Sequence, residues 1–358
     1  MRTIATLFTL ESEIGTTVNA FSDCRCPTHI RHMLSQYGDQ SNSAILDQPH
    51  VRFWGNARGL VGYSITTTWV GKVPLVFANP LCSTEYLDTL LVEFIREFPR
   101  AIFVSVNENV RQSLIKRGYM FNHFGWENRL IIDEFSLSGQ PKKQLRKAYN
   151  KWSGQGAVVR ELRWNEVDAQ ETLALSDAWK NTRKVSKREL NVFTRPPEFN
   201  DEPGVRKFFC YLDGKMIGFV FFTPIFSKGA IIGYGSNITR SLRSSEYSGV
   251  IDYILLSAIN VFRSEGIEVF SLGISPLYDL EKVEGDNRWI RLILMWCYSG
   301  LDRLYSFSGL ANHKKKYRAQ SEKWYLGSPK GASLLLIAFI LVSTSGILAV
   351  GKKSTRDV

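Results

Sequence analysis

Four charged residues stand where a side chain could take part in a reaction. Glu189, in SKRELNVF, could hold an amino group or assist a proton transfer. Asp252 lies among apolar residues in GVIDYILL, where a carboxylate needs a partner to offset its desolvation. Lys314 and Lys316, in HKKKY, could bind phosphate. The ordinary alternatives are an exposed helix glutamate, a structural salt bridge from Asp252 to an arginine, and a solvated run of lysines.

One arginine and two basic segments indicate an anionic partner. Arg240 ends a strand-like segment, and its expected partner is a phosphate, with a helix cap or a salt bridge as the alternative. The segments KKQLRKAYNK and KNTRKVSKR are represented by Arg146 and Lys187, which we expect to contact a nucleic-acid backbone. Such contacts position a nucleic acid without reading its sequence. The alternative is the charged surface of a soluble helix.

Composition agrees with an acidic partner and gives no sign of a metal. The 358 residues carry a formal net charge of +11, which favours nucleic acid or anionic lipid. The five histidines and five cysteines are scattered and show neither zinc-ligand spacing nor a disulfide framework. We therefore predict no metal and no cofactor.

The last part of the chain contains an uncharged apolar run. GASLLLIAFILVSTSGILAV occupies residues 331–350, and as a helix it would cover about 30 Å, the thickness of a bilayer core. A buried core helix or an interfacial helix is the alternative. Because no following sequence could cover a core helix, we expect a transmembrane or membrane-embedded helix, with Trp324 and Tyr325 at the membrane interface.

The order of elements repeats. Strand-like runs at HVRFWGN, LVGYSITT and KVPLVFAN precede a helix at TEYLDTLLVEFIREF and a strand at AIFVSV. VRKFFCYL, KMIGFVFFTPIF and GAIIGYGS likewise precede a helix at SGVIDYILLSAINVFRSEG and a strand at EVFSLGISPL, with Asp213-Gly214 as a hairpin turn. This order is that of the GCN5-related N-acetyltransferase (GNAT) core. We predict an α+β fold of tandem GNAT-like acyltransferase lobes at 1–135 and 136–327.

Acyl-CoA is disfavoured as the donor. GNAT enzymes that use it carry a glycine-rich loop before the helix, because glycines let the backbone approach the pyrophosphate. The corresponding stretch here, RSLRSSEYSGV, has a single glycine, Gly249.

Seven sequence blocks then occur in an order that carries a resemblance. They are ANPL, GWEN, LRKAYNKW, WKNTRKVSKRELNVFTR, NITR, FSLGISPL and LYSFSGLANHKKKYRAQSEKWYL. Over about residues 40–326 the chain resembles the C-terminal catalytic domain of phosphatidylglycerol lysyltransferases. One difference from the family pattern falls on a candidate site residue: Asn237 of NITR stands where the family has an acidic residue.

The resemblance implies transfer of an amino acid from aminoacyl-tRNA to a hydroxyl of a membrane lipid such as phosphatidylglycerol. Because aminoacyl-tRNA is cytosolic, we expect both lobes in the cytoplasm and the helix at 331–350 as a single pass in a bacterial inner membrane. The implied catalytic residues are Glu189, Asp252 and Asn237, and the implied substrate-binding residues are Arg240, Ser275, Lys314, Lys316, Arg146 and Lys187. Two alternatives stay open: a GNAT-like N-acyltransferase that uses an acyl thioester on a small metabolite or sugar, and a non-catalytic basic scaffold that brings RNA to membranes.

Overall fold

One mixed β-sheet runs through the part of the chain that the computed structural model describes, residues 20–181, 195–301 and 307–345. In the first half, the strands are β1 (Ser22–Cys24), β2 (Arg52–Asn56), β3 (Gly59–Thr68), β4 (Gly71–Phe77), β5 (Leu81–Cys82), β6 (Ile102–Val106) and β7 (Tyr119–Ile131). The helices there are α1 (Pro27–Tyr37), α2 (Thr84–Glu97) and α3 (Glu108–Ile115).

The second half continues the same sheet. Its helices are α4 (Lys143–Gly154), α5 (Ala169–Asn181), α6 (Val250–Ser264), α7 (Arg288–Leu301), α8 (Phe307–Lys315) and α9 (Leu334–Ser345). Its strands are β8 (Val158–Glu161), β9 (Arg206–Leu212), β10 (Lys215–Ser227), β11 (Ala230–Ser241), β12 (Val269–Pro276) and β13 (Gln320–Pro329).

The strand order confirms the predicted repeat. The sheet runs β1-β2-β3-β4-β6-β13-β7-β12-β11-β10-β9-β8, and β5 pairs with β3. In each half three antiparallel strands are followed by a helix and by a strand parallel to the third: α2 and β6 after β4, and α6 and β12 after β11. The chain has the α+β, GNAT-like fold expected from its sequence.

Local signals set several of these boundaries, among them the predicted turn at Asp213-Gly214. Asn107 precedes α3, and its side chain accepts a hydrogen bond from the Val110 amide. Asp213 and Gly214, both with positive φ, form the turn between β9 and β10. Gly249 and Gly266, also at positive φ, flank α6.

Strand β13 is an element that the sequence did not predict. It lies between β6 and β7 in the first half of the sheet, although it comes near the end of the chain. Trp324 and Tyr325 belong to it and are buried, so the expectation that they lie at a membrane interface is wrong. Pairing on both edges accounts for the burial, because a central strand is covered by the elements packed on its faces.

The C-terminal apolar run gives the short helix α9. One of its faces, with Leu336, Ile337 and Ile340, is buried in the same core cluster as Val73 and Leu75 of β4. No helix within the described ranges is long and apolar enough to cross a membrane. The structure therefore does not support the predicted spanning helix at 331–350. The last five residues of that range lie outside the described residues. Residues from earlier in the chain cover one face of the part that is described.

The position of β13 predicts a large difference between two tryptophan substitutions. Trp324 is 2% exposed and Trp289 on α7 is 63% exposed. Trp324→Ala should lower the free energy of unfolding by about 3–5 kcal/mol, because it leaves a cavity in the sheet core. Trp289→Ala should change it by less than about 1 kcal/mol. Urea denaturation measures both values, and equal losses would contradict the placement of β13.

Candidate functional site

An opening in the sheet of the second half is the candidate site. Strands β11 and β12 pair only over Gly233–Gly235 and Val269–Ser271, and beyond these residues no pairing joins them. On its other edge β12 has an irregular register against β7 between Ser271 and Ile274. Gly273 lies within this irregular stretch at φ +75°, a conformation that favours glycine.

Lys314 of α8 projects its amine into this opening. The side chain is 5% exposed, and its Nζ donates a hydrogen bond to the Ile274 carbonyl over 2.7 Å. A Cβ at Gly273 would lie 3.6 Å from the same nitrogen, an ordinary van der Waals contact that places the amine directly beside this glycine. No carboxylate among the described residues forms an ion pair with Lys314. Lys314 is therefore not part of an exposed charge run.

Burial makes Lys314 chemically unusual. Desolvation lowers its pKa to about 7, although the negative charge of Glu127 acts in the opposite direction. A lysine with a pKa near 7 is partly neutral at neutral pH, and a neutral amine can accept a proton.

A buried polar chain supports the opening from β7. Glu127 is fully buried, accepts a 2.8 Å hydrogen bond from the Ser271 hydroxyl and pairs with Arg129, whose Nε lies 3.1 Å from its Oε1. Ser271 Oγ also accepts a bond from the Gly273 amide over 3.0 Å. Glu127 thus fixes the irregular backbone beside Lys314 and supplies the negative charge nearest to it. Sequence reasoning missed this role, although Glu127 lies in the block GWEN.

Ser275 lies next to the carbonyl that binds Lys314. Its side chain is 3% exposed, and its Oγ accepts a 3.3 Å hydrogen bond from Asn128 Nδ2. Because the oxygen accepts this bond, its own proton can be donated to another oxygen. The structure therefore brings the predicted residues Ser275 and Lys314 to the same part of the sheet.

Asp252 and Lys316 also come together, in a cluster that anchors the segment after α8. Asp252 accepts bonds from Lys316 Nζ and, over 2.9 Å, from the Tyr317 hydroxyl. His313 Nδ1 is 3.6 Å from the carboxylate, but burial lowers the pKa of His313 to about 4, so the imidazole is neutral near pH 7. The partners of Asp252 are thus a lysine and a tyrosine, where an arginine was the expected structural alternative. They follow Lys314 by two and three residues, so their bonds to Asp252 anchor the segment that carries it.

Asn237 and Arg240 lie on β11, where it has separated from β12. Asn237 Nδ2 donates a 3.1 Å hydrogen bond to the Arg195 carbonyl. The Arg240 guanidinium is buried and stacks on Trp179, 3.6 Å from the ring centroid. Glu189 and Lys187 lie outside the described residues, between Asn181 and Arg195, so their predicted roles stay predictions.

Helix α4 covers the turn where a GNAT enzyme would hold pyrophosphate. Lys151 and Trp152 of α4 donate hydrogen bonds to the carbonyls of Glu246 and Ser248 in the turn before α6. A Cβ on Gly249 would lie 2.9 Å from the Ala148 Cβ, so this glycine allows close packing of α4.

Arg146, on the same helix, donates to the carbonyls of Leu137 and Gly139 and thereby holds the connection between the two halves. Its predicted contact with nucleic acid stays a prediction.

The first half has an equivalent opening, but a side chain bridges it. Strands β4 and β6 pair over three residues and then separate. The buried Gln40 accepts a hydrogen bond from the Asn79 amide after β4 and donates one to the Ser105 carbonyl in β6. The second half is therefore the better candidate for chemistry. Among the described residues, no group of three or more His, Cys, Asp or Glu side chains could hold a metal ion.

Comparison with known proteins gives a consistent result. A family model described as "Phosphatidylglycerol lysyltransferase, C-terminal" matches residues 31–327. Phosphatidylglycerol lysyltransferase of Bacillus subtilis (strain 168) is 22% identical over 341 residues, which are 92% of this chain and 38% of that protein. The protein of the same name from Staphylococcus epidermidis is 23% identical over 266 residues, 73% of this chain and 31% of that protein. The chain thus spans less than two-fifths of the length of these relatives.

Solved structures show the same fold. The structure of L-PGS from Bacillus licheniformis superposes with a TM-score of 0.70 at 20% identity and covers 92% of this chain and 98% of that one. The crystal structure of FemX gives a TM-score of 0.55 at 9% identity and covers 89% of this chain and all of that one.

The buried amine predicts a pH-dependent stability. The pKa of Lys314 is 10.5 when unfolded and about 7 when folded, so between these values the unfolded chain binds more protons and stability rises with pH. Lys314→Met should remove about 1.4 kcal/mol per pH unit from this slope. Urea denaturation at pH 7, 8 and 9 measures it. The control is Lys315→Met at the exposed neighbour, which should keep the wild-type slope of stability against pH. An unchanged slope in Lys314→Met would contradict the buried position of Lys314.

Proposed function

Because this chain belongs to the family of the phosphatidylglycerol lysyltransferase C-terminal domain, we propose that it transfers an aminoacyl group from aminoacyl-tRNA to a hydroxyl of a membrane lipid such as phosphatidylglycerol. The observation that carries the proposal is the amine of Lys314, buried in the opening between β11 and β12 with a pKa of about 7. A positioned base with a pKa near the working pH accelerates proton removal from an attacking hydroxyl, which a transfer between two oxygen esters includes.

The reaction exchanges one ester for another. The lipid hydroxyl loses its proton as its oxygen attacks the aminoacyl carbonyl, and the bond to the terminal ribose oxygen of tRNA breaks. In our proposal neutral Lys314 accepts the first proton and then donates it to the departing ribose oxygen, so that no proton is gained or lost overall. In the same proposal the Ser275 hydroxyl, whose oxygen accepts a bond from Asn128, donates a hydrogen bond to the oxygen on which negative charge develops.

The other residues of the site have supporting roles in this proposal. Asp252 acts through Lys316 and Tyr317, which hold the segment that carries Lys314, so we interpret it as a positioning residue. Glu127 has the same role from β7. Asn237 and Arg240 lie on β11 beyond its pairing with β12 and stay predicted site residues. Glu189 stays the predicted ligand of the donor's amino group.

Charge supports an RNA donor. Exposed Lys143 and Lys147 of α4 belong to a chain with a net charge of +11, which favours binding of a phosphate backbone. Since aminoacyl-tRNA is cytosolic and the acyl chains of the acceptor lie in a bilayer, we place both halves on the cytoplasmic face of a bacterial inner membrane.

An acyl thioester donor is the competing function. The packing of α4 on the turn before α6 weighs against it, because the backbone amides of that turn would have to face the pyrophosphate of CoA. A thermal shift of the purified protein on addition of acyl-CoA, together with acylation of a small amine, would favour the competing function.

The direct experiment supplies both substrates. The purified chain is incubated with tRNA that carries radiolabelled amino acids and with vesicles that contain phosphatidylglycerol. We expect label in the organic phase, which should disappear when RNase is added or phosphatidylglycerol is left out. Label that stays in the aqueous phase under all conditions would refute a lipid acceptor.

Substitution of Lys314 tests the proposed base. Lys314→Met and Lys314→Arg should each lower the rate by about a hundredfold or more, because neither side chain can exchange a proton near pH 7. The wild-type rate should rise with pH through about 7 and then level off, since only the neutral amine is active. Steady-state assays from pH 5.5 to 8.5 measure this profile. Lys315→Met should behave as wild type, and full activity in Lys314→Arg would exclude proton transfer by this residue.

A further inference from the structure

Exposed apolar side chains are concentrated on three adjoining elements. In the described part of the chain, ten large apolar residues are more than about a third exposed, and eight of them lie on the tip of the β3–β4 hairpin, on α7 and on α9. We call them the apolar surface: Trp69, Val70, Trp289, Leu292, Met295, Trp296, Leu335 and Phe339. A cluster of this kind marks an interaction site, because single exposed apolar residues are ordinarily scattered.

Helix α7 is apolar on both its inner and its outer side. Ile290 and Leu294 pack into the core, whereas Trp289 and Trp296, seven residues apart, are 63% and 69% exposed. A surface helix of a protein surrounded by water would carry polar residues on its outer side. The outer side of α7 therefore fits a less polar environment.

Helix α9 and the hairpin tip extend this surface. Leu335 is 75% exposed, while its neighbours Leu336 and Ile337 pack in the same core cluster as Ile290 and Leu294 of α7. The Trp69 ring lies 5.1 Å from that of Phe339, which joins the hairpin to α9. The three elements thus form one continuous surface.

The charges on these elements have one sign. Residues 67–72, 288–301 and 334–345 include Lys72, Arg288 and Arg291 and no acidic residue. Arg291 is paired with Asp286, whereas Arg288 and Lys72 are exposed. Basic groups beside exposed tryptophans are the combination that binds the interface of an anionic bilayer, where each basic residue contributes about 1 kcal/mol.

We propose that the apolar surface lies in the headgroup region of an anionic bilayer and holds the protein there. The proposal rests on the proposed function for its biological purpose. Helix α7 follows β12 and precedes α8 in the chain, and these two elements provide Ile274 and Lys314 of the candidate site. Insertion of α7 would thus bring the bilayer to the segment that carries the reaction. The exposed tryptophans and the uniform positive charge of these elements favour lipid over a second copy of this chain. In a dimer, the identical surface of the second copy would bring like charges together.

Vesicle binding of the full chain tests this proposal without aminoacyl-tRNA. Flotation is measured with vesicles of phosphatidylcholine alone and with equal parts of phosphatidylcholine and phosphatidylglycerol. We expect binding to the anionic vesicles, and quenching of tryptophan fluorescence by lipids brominated near the headgroup.

The double variant Trp289→Ser/Trp296→Ser should lower the partition coefficient by at least about tenfold. Arg288→Gln should lower it about fivefold on anionic vesicles only.

A matched control comes from the two exposed apolar residues that lie elsewhere. Val158→Ser/Leu173→Ser should leave vesicle binding unchanged, because these positions belong to β8 and α5. All the substituted side chains are exposed, so circular dichroism and thermal melting should match wild type. Equal binding by wild type and the tryptophan variant would overturn the proposal, as would a dimer in solution that the same substitutions abolish.

A second readout separates this proposal from the proposed function. With a short-chain phosphatidylglycerol that stays monomeric in water, the tryptophan variant should retain wild-type transfer activity, because Lys314 is untouched. Lost vesicle binding with retained activity supports the apolar surface. If wild type binds vesicles through these residues but transfers nothing to either lipid, the proposed function fails and the apolar surface stands. If the variant also loses activity toward the monomeric lipid while folded, the surface serves the site directly and the proposal is wrong.

Discussion

The burial of one lysine amine is the constraint on which the second half of the structure depends. Desolvation disfavours the charged form of Lys314, so the amine needs a polar partner inside the sheet, and the Ile274 carbonyl provides it. That carbonyl is available because β12 is irregular at Gly273 and has parted from β11. The same irregularity that opens the sheet therefore also creates the acceptor. A lysine in this setting exchanges protons near neutral pH, which a solvated lysine does not.

The surrounding network keeps this arrangement in place. Glu127 holds the irregular backbone through Ser271 on one side, and Asp252 holds the segment after α8 on the other. Both carboxylates are buried, so loss of the cationic partner, Arg129 for Glu127 or Lys316 for Asp252, would leave an uncompensated buried charge. The first half repeats the strand order but places Gln40 across the equivalent gap. The repeated fold thus provides two openings, and the side chains decide which of them can hold a reacting group.

The chemistry and the attachment to a surface use different physical properties of the chain. Proton exchange depends on a buried amine, whereas the basic exposed residues of α4 and the apolar surface face outwards. A protein that joins a polyanionic donor to an acyl-chain acceptor needs both kinds of surface, because neither alone attracts both substrates. In both proposals, the buried site stays rigid while weaker contacts outside it hold the substrates.

The sequence by itself determined the local structure and the family. Apolar periodicity, the cap at Asn107 and the turn at Asp213 placed most helices and strands, since these signals depend on neighbours in the chain. The sequence blocks selected Lys314 and Lys316 as site residues, but only the tertiary structure showed that Lys314 is buried beside an exposed Lys315. It also inserted β13 between β6 and β7 and covered one face of α9. Burial and strand pairing bring together residues that are far apart in the chain, as Ile274 and Lys314 are. A run of three lysines carries no record of which one will be buried.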